Sequence, residues 1–182
     1  MKVANADLAE WLRIWTSAPI NGAEDEHRMQ RLVAAQELAK LYKPIDVNFV
    51  YRAFALDLRS INTWDDLDQF LYADFPESFS NSIVGVQNYL NSGGAADDNQ
   101  HNVIFAVRIA RSDAMFYVPH LVEQLHDPAQ FKDICHQDEI VAHPGTLKKA
   151  VQLGDAWTIG YTDQGSSKIV RIKARRTNLV FT

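Results

Sequence analysis

Hydrophobic positions recur with helical spacing at the start of the chain and with strand spacing after it. Leu8, Trp11, Leu12 and Trp15 stand at i, i+3, i+4 and i+7, so residues 5–17 are predicted to form an amphipathic helix capped by Asn5 or Asp7. Both tryptophans are expected in the core. The polar stretch SAPINGAED breaks that pattern. A second helix is predicted over residues 23–42, with Met29, Leu32, Val33, Gln36 and Ala39 along its buried side and Lys43-Pro44 ending it.

From Val47 the pattern changes to alternation. VNFVYRAFAL is rich in β-formers and reads as a strand. A short helix is expected over residues 63–72, with Thr63 as cap and Asp65 and Asp66 in its first turn. Another spans 82–91 and stops at Gly93-Gly94, after which SGGAADDNQHN is a polar loop. NVIFAVRIA, AMFYVPH and DEIVAHPG read as strands, and AWTIGYT and KIVRIKAR as a hairpin turning at DQGSS. No repeat or linker interrupts the chain. The expectation is one α+β domain over 1–182, with a helical segment at 1–45 and a mainly antiparallel sheet core at 46–182.

The composition agrees with a folded domain: 182 residues, 47% hydrophobic and 23% charged, which excludes a disordered or low-complexity chain. No apolar run approaches the ~20 residues of a membrane span. The first residues, MKVANADLAEWLRIW, lack a basic start followed by an unbroken apolar stretch, so no signal peptide is expected. The single cysteine, Cys135, rules out an intrachain disulfide and fits a reducing compartment. The expectation is a cytoplasmic monomer without membrane contact.

Charge is unevenly spread. Lys168, Arg171, Lys173, Arg175 and Arg176 follow Asp163 with no acid among them, which leaves 13 basic against 23 acidic residues before them. Arg171, Lys173 and Arg175 would share one face of a strand. That is how an edge strand keeps its solvent side charged, and it is also a surface for an anionic partner.

Six histidines invite a metal, but they form no HxxxH pair and there is no second cysteine, so no metal is expected. Cys135 would need His126 or His143 as a base to act as a nucleophile, and a lone buried thiol is the commoner case. Neither GxxxxGK[ST] nor GxGxxG occurs.

What remains is a spaced set. Arg52 sits alone within the apolar strand VYRAFAL, Ser78-Phe79-Ser80 precedes a helix, and Gln137-Asp138-Glu139 opens a strand whose alternation would put Gln137 and Glu139 on one face. Taken singly, these read as a surface arginine, a helix cap and the solvated end of a strand. Taken in order, they resemble the arginine, Ser-x-Ser, glutamate class of mono-ADP-ribosyltransferases, which includes clostridial toxins, vertebrate ecto-enzymes and phage enzymes. The resemblance runs from about residue 47 to the end of the chain.

It implies a split, mainly antiparallel sheet behind N-terminal helices, with NAD as substrate and no metal. Arg52 would bind the NAD pyrophosphate. Ser78 and Ser80 would hold the glutamate and the ribose. Tyr89, nine residues beyond Ser80, would flank nicotinamide with support from Phe79 or Phe54. Phe79 departs from the threonine usual in that motif. Glu139 would be the catalytic carboxylate, and Gln137 would meet the acceptor from beside the loop HDPAQFKDICH. Glutamine at that position accompanies amide, cysteine or guanine acceptors. The implied acceptor is therefore an amide side chain of a protein first and a nucleic-acid base second.

The residue types suit that chemistry. Nicotinamide leaves NAD as a neutral molecule, so no acid is needed, and the oxocarbenium-like ribose left behind calls for one ionised carboxylate. An arginine fork suits a pyrophosphate, and a glutamine suits an amide or a base edge. Hydrolysis of NAD uses the same residues, and an interaction protein of this fold without turnover is a third alternative. The small form suggests a phage or bacterial effector acting in a cytoplasm, which for a phage would be the host's.

Overall fold

The computed structural model describes residues 5–17, 24–41, 46, 48–56, 74–91 and 101–162. Two helices come first, α1 (Asn5–Thr16) and α2 (Glu24–Leu41). The strands are β1 (Phe49–Leu56), β2 (Glu77–Ser80), β3 (His101–Arg108), β4 (Ala114–Tyr117), β5 (Glu139–Ala142) and β6 (Ala156–Thr162). Between them lie α3 (Ile83–Asn91), α4 (Val118–Val122), α5 (Lys132–Cys135) and α6 (Thr146–Leu153). The chain is thus α+β, as its pattern predicts. The expected helix at 63–72 and the basic strand of the last hairpin lie outside the described residues.

Among the described residues all strand pairs are antiparallel, in the order β4-β5-β2-β1-β3-β6. Pairing is continuous from Phe49↔Arg108 to Leu56↔His101 between β1 and β3, and from Glu77↔Ala142 to Ser80↔Glu139 between β2 and β5. Between β1 and β2 one registered pair, Tyr51↔Ser80, joins the two halves. The sheet is therefore two three-stranded parts meeting at Ser80.

Alternation along these short strands divides the core in two. On one face Val50, Phe79, Val103, Phe105, Ile140 and Ala142 pack beneath Leu147 and Ala150 of α6. On the other, Val141 and Phe116 pack beneath Leu8, Leu12 and Trp15 of α1 and Ala34, Ala35 and Leu38 of α2.

The inward face of α2 corrects the sequence reading. Met29 is 61% exposed and Val33 40%, whereas Ala34, Ala35 and Leu38 are buried. The helix turns its small residues inward because α1 lies close against it, and the same i, i+3, i+4, i+7 stripe starts at Arg31.

Other boundaries also move. The strand expected over AMFYVPH ends at Tyr117, and a helix begins at Val118 with Pro119 in its first turn, where a missing N–H is harmless. Residues 146–153, with no predicted element, form α6 between Gly145 (φ 78°) and Gly154 (φ 74°), whose left-handed backbones bracket it.

Candidate functional site

Glu139 is the first residue of β5 and pairs with Ser80, while Ser78 pairs with Val141. Paired residues share a face, so Ser78, Ser80 and Glu139 all point toward α1 and α2. The Trp15 indole Nε1 donates to Glu139 Oε1 at 3.2 Å, and Ser78, beside it on the same face, favours the charged carboxylate. Glu139 is half-buried. Burial pushes its carboxyl above the usual carboxylate range, against the opposing pull of Ser78, the Trp15 donor and the Arg31 charge.

Ser80 has a different task. Its hydroxyl lies 2.7 Å from the Gln137 carbonyl and 2.8 Å from the Ser82 carbonyl, and its one proton serves either. It ties the end of β2 to the turn before β5. Gly85, on α3, packs against this junction: a Cβ there would fall well inside contact distance of Ser80 Oγ and the Gln137 carbonyl oxygen. A glycine is required for the approach.

The expected strand geometry of Gln137 is not what forms. Helix α5 runs directly into a turn at residues 136–138, and β5 starts only at Glu139. Gln137 N–H donates to the Ile134 carbonyl at 3.1 Å and Asp138 N–H to the Cys135 carbonyl at 3.0 Å, so a helical turn continues where an extended residue was expected. Asp138 then takes φ 54°, a left-handed conformation that suits Asp better than most residues. Gln137 and Glu139 are neighbours through a turn, not through the pleat of a strand.

That turn is pinned from three sides. Asn81 N–H donates to the Asp138 carbonyl at 2.8 Å, Tyr117 Oη to Asp138 Oδ1 at 2.5 Å, and Asn88 Nδ2 to the His136 carbonyl at 2.6 Å. Burial and the Asp138 carboxylate hold the Tyr117 phenol well above its ordinary range, so it remains a donor.

Arg52 lies on the other face. It follows Tyr51, which shares the Ser80 and Glu139 face, and alternation turns it to the α6 side. There its guanidinium stands 4.7 Å over Phe54 and 5.7 Å over Phe79. Burial lowers its pKa, while the charge of Glu77 and the nearby Tyr89 phenol oppose that shift. Glu77 is 5% exposed and accepts the Leu147 N–H at 2.8 Å, capping the first turn of α6 from a different strand. Phe79 is 3% exposed and belongs to the core, and Tyr89 is 45% exposed. The predicted residues thus form two groups, Ser78, Ser80 and Glu139 on one face and Arg52, Phe79 and Tyr89 by the other.

Cys135 is half-buried, and burial followed by the Glu123 charge pushes its thiol up, away from a reactive thiolate. Among the described residues no cluster of His, Cys, Asp and Glu is arranged to hold a metal ion, and no helix is long and apolar enough to cross a membrane. An open cavity of about 250 Å³ lies between Asn48, Arg108, Asp113 and Lys149, where Lys149 pairs with Asp113 at 2.8 Å.

Sequence reasoning missed Arg31, Glu77, Gly85, Tyr117 and Asp138, and read Trp15 only as core. A signal existed for Arg31, a lone cation in line with Ala34, Ala35 and Leu38. None existed for Glu77, whose partner is 70 residues away. No family model matches the chain, and no curated protein or solved structure matches it either.

Proposed function

We propose that this chain is an NAD-dependent mono-ADP-ribosyltransferase of the arginine, Ser-x-Ser, glutamate class. The observation that carries the reading is the shared face of Ser78, Ser80 and Glu139 on two paired strands, with Ser80 holding the turn that leads into Glu139. The split sheet, with Ser80 at its junction, is in keeping with the core that this class implies.

The C1′–N bond of NAD breaks with its electron pair going to nicotinamide, which departs neutral. Glu139, ionised, stabilises the oxocarbenium-like ribose, and Ser78 keeps its carboxylate aimed. The acceptor nitrogen then forms the new bond to C1′ and gives up a proton to solvent. Gln137, half-buried at the turn, is the group that meets the acceptor, an amide side chain of a protein.

The test is incubation with NAD labelled in its adenylate part, alone, with cell lysate and with RNA. Label on protein supports the reading. Label on RNA changes the acceptor to a base, free ADP-ribose alone makes the protein a hydrolase, and intact NAD in every arm overturns the proposal.

A further inference from the structure

We infer that Arg31 of α2, rather than Arg52, is the cation that binds the diphosphate of a dinucleotide placed at Glu139; the inference rests on the function proposed above. A group that binds the ligand of Glu139 must lie on the Glu139 face, and Arg52 lies on the reverse face over Phe54 and Phe79. Arg31 lies on the correct one. Its guanidinium stands 4.5 Å from the centroid of Trp15, the side chain that donates to Glu139, and 5.6 Å from that of Phe75.

Three features set Arg31 apart from a structural cation. It begins the inward stripe of α2, where Ala34, Ala35 and Leu38 are buried and a charge would ordinarily be excluded. Its Nε is buried and has no hydrogen-bond partner among the described residues. Native interiors rarely leave such a donor unmet, and one so placed marks a position for a ligand or water. Its neighbour Arg28, one turn earlier and 5.4 Å from Phe75, is engaged by Asp74 at 2.8 Å, so the two cations of this face differ in what they leave free.

Two aromatic rings within cation–π reach hold the guanidinium beside Trp15, and its planar fork suits phosphate oxygens. Glu139 serves the ribose and Arg31 the adjoining phosphates. One ligand then spans two elements far apart in sequence, the β5 head and the α2 stripe.

Calorimetry with NAD and with nicotinamide riboside, which lacks the phosphates, separates this role from a structural one. Wild type is expected to bind both. Arg31→Met keeps the apolar stem against Trp15 and is expected to weaken NAD binding by about 10- to 100-fold, the worth of a charged hydrogen-bonded contact, with a clearly smaller loss for nicotinamide riboside, because Arg31 also favours the charged Glu139 carboxylate. Arg52→Met is expected to leave NAD affinity within a few-fold of wild type. Should Arg31→Met not fold, by circular dichroism, Arg31→Lys keeps charge and stem: a several-fold loss for NAD that exceeds the loss for nicotinamide riboside supports the assignment. Wild-type NAD affinity in the folded Arg31 variant, or equal losses for both ligands, overturns it while the proposed function stands. Failure of wild type to bind either ligand overturns both.

Discussion

The indole Nε1 of Trp15 lies 3.2 Å from Oε1 of Glu139, so a side chain of the first helix holds the carboxylate at the head of β5. Trp15 is 1% exposed, stacks on Phe75 and meets Phe116 edge-on with centroids 5.6 Å apart. The helical segment is thereby part of the site, and the core and the candidate chemistry share a residue. Trp15→Phe keeps the ring and removes the donor. Because burial already raises the Glu139 pKa, losing a hydrogen bond to its charged form raises it further. The acid limb of the NAD-cleavage profile should therefore move to higher pH than in wild type, as measured by pH–rate curves. An unchanged limb would show that the indole contact does not govern ionisation of Glu139.

Glu139→Gln should separate activity from stability. Glutamine can accept from Trp15, but it carries no charge to stabilise the oxocarbenium, so NAD cleavage should fall by roughly 10²- to 10³-fold. Stability should not fall at neutral pH, since burial disfavours the charged form. The sign follows from a folded pKa raised above the unfolded value of about 4.3: the group's contribution is full below that value and is lost as pH rises through the folded pKa. Urea denaturation should then show wild type gaining on Glu139→Gln as pH is lowered through that window. Gln137→Ala, by contrast, should lose transfer and keep NAD hydrolysis, assayed by released nicotinamide.

Gly85→Ala should be costly for a change of one methyl group. The added carbon would meet Ser80 Oγ and a backbone carbonyl oxygen at Gln137. Either α3 or the turn before Glu139 must move, at about 1–3 kcal/mol for such overpacking. Chemical denaturation measures that loss, and a cost within error of zero would mean that the junction is looser than its contacts indicate.

Arg52 and Glu77 should be coupled in stability. Each lies on the α6 face, and each shifts the other's pKa in favour of its charged form. Arg52→Met leaves the Glu77 carboxylate buried with the Leu147 N–H but without its cation. A double-mutant cycle with Glu77→Gln should give a coupling of about 0.5–3 kcal/mol, with the double variant less destabilised than the two single losses added together. Additive losses would show that the two charges do not interact.

Periodicity by itself determined much of this protein. The i, i+3, i+4, i+7 run of Leu8, Trp11, Leu12 and Trp15 sufficed for α1, and alternating β-formers around Arg52 and in 103–107 sufficed for β1 and β3. These signals are local: each is the imprint of one buried face on a regular backbone. The order Arg52, Ser78-x-Ser80, Gln137-x-Glu139 was also legible, because residue types and spacing are visible in one dimension.

Only the tertiary structure decided which of these residues meet. The single Tyr51↔Ser80 pair sets the register between the sheet's halves, and a register difference of one residue exchanges the faces. That places Arg52 with Glu77 and Ser78 with Glu139. The choice of Ala34, Ala35 and Leu38 over Met29 and Val33 depended on how closely α1 packs, which no residue of α2 encodes alone, and it carried Arg31 inward with them. The left-handed Asp138 likewise arises where helix α5, the Asn81 N–H and the Tyr117 hydroxyl converge on one turn. Contacts between residues 57 to 124 positions apart, such as Ser80 with Gln137 and Trp15 with Glu139, have no periodic trace in the sequence. They exist because packing brought separate elements together.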